Sequence, residues 1–506
     1  MSQTTIIWIA LPFLIGFAVY LLPRLAFLSV SAIALVSAGY AGQVLLLQTS
    51  ETIELLDNFG VSLLVDSLSG WFILTNALVT MAVAVYYRQS GNPSSPASQY
   101  FFFMQLIMLH GSVNAVFICA DFMSLYVALE VISVAAFLLI AYPRSDRSIW
   151  VGLRYLFVSN TAMLFYLIGA VLVFKANNSW AYGGLVNAPP EAIALIIVGL
   201  LAKGGIFVSG FWLPLTHSES ATPVSAMLSG VVVKAGVFPL VRCALMLQEI
   251  EPIVRVFGVA TALLGVSYAV FERDTKRTLA FSTISQLGFI LAAPVAGGFY
   301  ALTHGLAKAT LFLSAGNLPS RDFGVLRERG IDLKIWLAIA TASLSICGFP
   351  LLSGFAAKVL ASKDFSSWQA IAMNLATVGT VITLAKFIFL PRESPLSTAI
   401  ETKDSPQVVS KRKKPSPGLW SAIIILLGGL IAGNIFYQEV YTLNNLLKPL
   451  LTLILGWLLY FLCFKRWHLS LPRESENFDH LIGAMSLVLI LVFWMLQTNT
   501  AIASYF

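Results

Sequence analysis

Apolar runs of about twenty residues, separated by short polar loops, recur from one end of the chain to the other. Neither the strict alternation of a half-buried strand nor the one-sided stripe of a soluble helix organises them. Runs of this length match the ~20 residues that carry a helix across a ~30 Å hydrocarbon core. Sixteen spans are predicted, near 4–22, 25–47, 64–87, 100–119, 122–142, 151–174, 191–213, 222–247, 252–271, 278–296, 298–318, 334–362, 367–391, 419–437, 446–464 and 480–498. The twelfth is long and interrupted by Gly348, Pro350 and Gly354, so it reads as one broken helix. The seventh carries Gly204, Gly205 and Gly210 before Pro214 and reads as broken too.

Composition agrees with the pattern. Of 506 residues, 58% are hydrophobic and only 11% charged, less than half the ~25% of a soluble globular chain. The first run, IIWIALPFLIGFAVYLL, lacks a basic leader and a small-residue cleavage site and is read as a retained span. Cys119, Cys243, Cys347 and Cys463 are scattered singly and form no CxxC pair, which points away from an iron–sulfur or zinc site. The formal charge of +7 sits in loops and does not imply nucleic acid. Basic loops (Arg88, PRSDRS at 143–148, ERDTKR at 272–277, KRKK at 411–414) fall at every second connection. Cytoplasmic loops collect Lys and Arg, so both termini are expected on the non-cytoplasmic side.

SGF at 209–211 recurs at 353–355, and the pairs Lys203–Lys234 and Lys358–Lys386 are similarly spaced. Together with the two broken spans, these echoes suggest two five-helix repeats, the second inverted because each holds an odd number of spans. The expected division is 1–99 as N-terminal helices, 100–250 and 251–391 as the two repeats, 392–418 as a basic cytoplasmic linker and 419–506 as C-terminal helices. The fold class is an all-α polytopic membrane protein of about 14–16 transmembrane helices.

Several ionisable residues lie inside the apolar runs: Glu130 in span five, Lys203 in seven, Lys234 in eight, His304 and Lys308 in eleven, Lys358 in twelve and Lys386 in thirteen. A charge at mid-membrane costs about 2.5–3.5 kcal/mol even on insertion scales, which makes each a candidate for function. A lysine near a span end, as Lys386 or Lys358, could instead snorkel to the interface. A lone Glu130 could equally be a structural partner for a lysine. Burial disfavours the ionised form of either group and pairing opposes that, so a Glu130–Lys203 pair would respond to a third charge nearby. That arrangement predicts a gate at Glu130 and Lys203, with Lys234 as the next station of a proton relay. His217, in the loop after span seven, is either a point of proton uptake or a solvated loop residue.

The stretches ADFMSLYVALEVIS, FWLPLTHSESATPVSAMLSGVVVKAGVFPLVR, ERDTKRTLAFSTISQLGFI and THGLAKATLFLSAGNLPSR resemble the antiporter-like membrane subunits shared by respiratory complex I and Mrp-type cation/proton antiporters. Within that family the chain looks like the Mrp D-type protein in its cyanobacterial form, over roughly positions 60 to 391. The resemblance implies inverted five-helix repeats with broken seventh and twelfth helices. It places Glu130, Lys203, Lys234, His304, Lys308 and Lys358 on the family's proton relay, needs no cofactor in this subunit, and implies other membrane subunits as partners in a bacterial cytoplasmic or cyanobacterial thylakoid membrane. Some complex I relatives carry glutamate where Lys358 stands, and lysine favours the Mrp type. Two departures are visible: Val208 stands where the family commonly has proline, and Leu215 and Thr216 precede the loop histidine where an acidic residue is common.

The function expected is a proton-translocating, non-enzymatic subunit of a multisubunit Na⁺/H⁺ antiporter. The alternative is a proton-pumping, non-redox subunit of a complex I-type NAD(P)H or ferredoxin dehydrogenase. A non-transporting scaffold, or a hydrolase built on HSES at 217–220, is a third class; no nucleophile elbow accompanies that serine.

Overall fold

Acidic and hydroxyl residues of the polar loops start the helices. Asp66, Asp121, Asp274 and Asp332 each accept a hydrogen bond from the first-turn backbone of the helix that follows. Ser145 and Ser366 do the same within capping boxes. The computed structural model describes residues 2–48, 50–55, 61–90, 96–392, 415–465 and 471–503; most of the expected linker lies outside them.

The N-terminal helices are α1 (Ser2–Leu21), α2 (Ala26–Leu47), α3 (Ser67–Gln89) and α4 (Pro96–Val116). Then come α5 (Phe122–Ala141), α6 (Asp146–Asn177), α7 (Pro190–Gly204), α8 (Trp212–Glu219), α9 (Thr222–Met227) and α10 (Lys234–Met246). They are followed by α11 (Glu251–Phe271), α12 (Thr275–Ala292), α13 (Gly297–Ala315), α14 (Phe323–Glu328), α15 (Leu333–Cys347), α16 (Ser353–Lys363) and α17 (Ser367–Ile388). The C-terminal helices are α18 (Pro417–Ala432), α19 (Leu443–Leu459) and α20 (Phe478–Ala503). Among the described residues, eleven helices are long and apolar enough to cross a membrane, or up to 13 if each of two bent pairs is one span. All sixteen expected positions are helical. Sixteen spans are reached by counting α12 and α13 separately across their 110° bend and by including α4, the broken α7–α8 and the broken α15–α16.

One loop departs from the all-helical expectation. Residues Glu51–Glu54 (β1) and Ser62–Val65 (β2) form a two-stranded antiparallel sheet. β2 also bonds the segment before α5, through Leu64 N–H to the Ile118 carbonyl and Ala120 N–H to the Ser62 carbonyl. Glu51 and Glu54 thus sit on a small sheet that is tied to the start of α5.

Both broken helices end the same way. α7 closes on Gly205 at φ 71° and α15 on Gly348 at φ 83°, the left-handed geometry that glycine adopts without strain. The repeated SGF has a physical reason. A Cβ on Gly210 would lie 2.2 Å from the Gly205 carbonyl oxygen, and one on Gly354 would lie 2.0 Å from that of Ser345. In both places the second half-helix folds directly onto the last carbonyls of the first. The backbone freed at the first break is satisfied locally: Ile206 N–H bonds the Leu201 carbonyl, Phe207 N–H bonds Thr261 Oγ1 and Trp212 Nε1–H bonds the Ala202 carbonyl, as non-helical backbone inside a membrane requires.

The centre of the bundle is α9–α10, buried from Pro223 to Ala244, and α13, buried along its whole length. The C-terminal helices brace the breaks. α18 packs on α3 and α13, and Asn434 just beyond it donates to the Leu351 carbonyl at 2.7 Å, inside the second break. α20 packs along α7 and its break, and Glu476 ahead of it pairs with Arg277.

Candidate functional site

Glu130 sits near the middle of α5, half-buried, in the wall of a groove of about 400 Å³ between α1, α4 and α5. Gly16, Gln105, Met108 and Val134 line the same groove, so the carboxylate lines a largely apolar recess.

Lys203 lies in the last turn of α7, where the carbonyl end of the helix favours a cation. Its position comes from glycine-mediated packing. Gly199 is pressed against α6, where a Cβ would meet the Ala162 carbonyl oxygen at 2.7 Å. One turn further along, Lys203 therefore reaches Ser159. The ammonium donates to Ser159 Oγ at 2.5 Å, Ser133 Oγ at 2.5 Å and the Leu129 carbonyl at 3.2 Å. The expected direct pair with Glu130 is absent: the two groups are within electrostatic reach, yet the lysine's three donors are all taken by neutral oxygens.

Lys234 opens α10 immediately after a π-helical turn, Leu228–Val232. There the ladder slips by one residue, with Val233 N–H bonding the Leu228 carbonyl, and the Lys234 ammonium takes the Gly230 carbonyl at 2.5 Å and that of Ser229 at 3.3 Å. Such bulges concentrate at functional sites. α10 and α7 cross backbone to backbone, because a Cβ on Gly236 would stand 2.3 Å from Gly204 N and 2.8 Å from the Lys203 carbonyl carbon. The two lysines thus flank one glycine contact.

His304 and Lys308 are four residues apart, on one face of α13. Lys308 donates to the Leu279 carbonyl of α12 at 3.0 Å. His304 has no hydrogen-bond partner on either ring nitrogen. It lines a cavity of about 10 Å³ with Gln286, Tyr300, Thr303, Ser345 and Gly354, roughly the room one water needs. Lys234 lies within electrostatic reach of His304 and Lys308. Lys358 extends past Gly348 and places its ammonium 5.2 Å from the Phe289 ring centroid, without a hydrogen bond.

Two expectations change. Lys386 does not snorkel; it is buried and donates to the carbonyls of Ala269 at 2.7 Å, Val270 at 3.3 Å and Glu272 at 2.8 Å. It caps the carbonyl end of α11. His217 is not a solvated loop residue. The chain folds back after the seventh-helix break, and α8 carries His217 into the interior between the Trp212 and Phe312 rings, fully buried and within reach of Lys234 and Lys308.

Other polar residues of the site escaped the sequence reading. Ser133 shares a helix face with Glu130, a spacing that was available as a signal; Ser159 offered none. Lys276 was read as loop charge, but it is buried and bonds the Ser220 carbonyl at 3.0 Å beside α8. Tyr300 donates to Gln286, which in turn reaches Thr380. A separate network around His110 joins Ser37, Asn76, Thr80 and Asn114 and ties α2, α3 and α4 together.

The family described as NADH:quinone oxidoreductase/Mrp antiporter, TM, matches residues 119–383, which include every lysine and histidine named above except His110 and Lys386. The NADH-quinone oxidoreductase subunit N of Desulforudis audaxviator (strain MP104C) is 29% identical over 450 residues, covering 82% of this chain and 87% of that protein. The D-type protein of the Na(+)/H(+) antiporter of Alkalihalophilus pseudofirmus is 25% identical over 495 residues, covering 89% and 98%. A chain of the Mrp complex from Dietzia sp. DQ12-45-1b has the same fold, with a TM-score of 0.70 at 20% identity over 94% of this chain and 98% of that one.

Proposed function

We propose that this chain, which belongs to the NADH:quinone oxidoreductase/Mrp antiporter transmembrane family, is the proton-translocating membrane subunit of a multisubunit Na⁺/H⁺ antiporter. It is an ion-translocating integral membrane subunit, and other membrane subunits are its partners. The observation that carries the antiporter reading is the band of buried basic side chains, Lys203, Lys234, His304, Lys308 and Lys358, strung between the two helix breaks with Glu130 at one end. A lysine with a rotatable tether beside a break can change partners without unfolding a helix. Glu130 gates the row by drawing Lys203 towards itself or releasing it. Each later station then responds to the charge on the one before, because a buried site screens weakly. The chain is read as a transporter subunit rather than an enzyme, with both termini on the non-cytoplasmic side of a bacterial or thylakoid membrane.

The test uses inside-out vesicles containing the whole assembly, with proton movement followed by a fluorescent pH-gradient dye on addition of Na⁺. Glu130→Ala is expected to abolish Na⁺-dependent flux; wild-type flux in that variant refutes the gating role. The 29% identity to a quinone oxidoreductase subunit over 82% of this chain supports a second reading, a proton-pumping subunit of a complex I-type enzyme. Co-purification with hydrophilic iron–sulfur subunits, and flux driven by a reduced electron donor rather than Na⁺, selects it.

A further inference from the structure

The position of Lys203 calls for a physical account, because the buried lysine is directed to two serines rather than to the carboxylate nearby. An ammonium has three donors, and here three acceptors receive them: Ser133 Oγ, Ser159 Oγ and the Leu129 carbonyl. Ser133 and Ser159 are themselves in contact at 3.0 Å, and Ser133 also reaches the Leu129 carbonyl at 2.9 Å. The three oxygens are therefore organised before the lysine arrives. A hydroxyl can rotate from acceptor to donor, so the same oxygens serve the ammonium and, after proton loss, the neutral amine. The titratable groups facing this place are Glu130 on α5 and Tyr155 on α6, whose ring centroid lies 6.0 Å from the Lys203 nitrogen.

Glu130 and Ser133 are three positions apart on one helix, about 5–6 Å between Cβ atoms. Glu130 acts on the Lys203 charge from that neighbouring position, so a rotamer change of the lysine side chain is the movement that would exchange one partner for the other. The two partners are of opposite character. The carboxylate offers charge and lines the open groove; the two serines and the Leu129 carbonyl offer three neutral hydrogen bonds in full burial.

We propose that Ser133 and Ser159, with the Leu129 carbonyl, form a second seat for the Lys203 ammonium, competing with Glu130 and setting how often the lysine is free to pass its proton onward. The serines are positioning residues. The proposal rests on the relay reading for its consequence but not for its geometry, and the experiment separates the two.

The intact assembly is reconstituted in liposomes with lysine labelled by ¹⁵N at the side-chain nitrogen, and the Lys203 resonance is assigned by its loss in Lys203→Met. The quantity read is the pH at which half of Lys203 carries its proton. In the Ser133→Ala/Ser159→Ala double variant the ammonium loses two of three acceptors, and the midpoint falls by about one unit, a tenfold change. Ser159→Thr keeps the hydroxyl and restores the midpoint in the Ser159 background. A double variant with the wild-type midpoint overturns the seat. Na⁺-driven proton flux is measured on the same preparations, and its pH profile moves with the midpoint. If the midpoint shifts while flux is indifferent even to Lys203→Met, the seat stands and the relay reading falls.

Discussion

Gly236→Ala probes the crossing of α7 and α10. A Cβ placed on Gly236 stands 2.3 Å from Gly204 N, 2.6 Å from Gly204 Cα and 2.8 Å from the Lys203 carbonyl carbon. All three are backbone atoms, so no side-chain rotation relieves the clash. Ordinary contact requires the helices to part by at least about 1 Å, and overpacking of this kind costs about 1–3 kcal/mol. The displacement falls on Lys203 itself. Its hydrogen bonds to Ser133 and Ser159, both 2.5 Å, cannot all survive such a shift of α7 against α5 and α6. The assembly carrying Gly236→Ala should therefore unfold at a lower temperature in detergent and lose most of its Na⁺-dependent proton flux per folded complex. Gly39→Ala is the control, since a Cβ there meets nothing within 4 Å; it should leave flux unchanged and stability equal or slightly higher, as alanine suits a helix better. Wild-type flux and stability in Gly236→Ala would refute the argument that this contact sets the lysine's position.

Lys358 and Lys386 should separate cleanly. Lys386→Met strands the last carbonyls of α11 and lowers thermal stability by about 1–3 kcal/mol, while flux per folded complex persists. Lys358→Met removes a buried ammonium with no hydrogen-bond partner, so stability holds or rises while flux is lost; the reverse pattern contradicts both assignments. Glu272, just past α11, is buried, which alone would raise its pKa. Hydrogen bonds from the Asp274 and Arg273 backbone and from Arg277 outweigh this and hold the carboxyl below its ordinary value of 4.5. A depressed folded-state value means its stabilisation is present above the unfolded value and disappears as pH falls through the folded one. The gap in unfolding temperature between wild type and Glu272→Gln should accordingly be open at pH 7 and shrink as pH falls below the ordinary carboxylate value of 4.5; a gap independent of pH would count against the carboxylate's charge as its source.

The number and placement of the helices follow from the sequence because the bilayer imposes one solution on each run of about twenty apolar residues. Loop aspartates and serines set the starts, and left-handed glycines end the broken halves. Glu130 and the lysines stand out for the same reason: a charge in an apolar run is too costly to be incidental. Their partners were not legible, since contacts between spans depend on where helices cross. Gly199 pressed on the Ala162 carbonyl, and Gly236 on Gly204, decide that Lys203 meets Ser159 on a neighbouring helix rather than Glu130. The carbonyls of α11 decide that Lys386 caps a helix, and the fold-back after Gly205 decides that His217 is interior. Apolarity is a property of each segment and can be read one segment at a time. A hydrogen bond between segments is a property of two backbones brought together, and only the tertiary structure contains it.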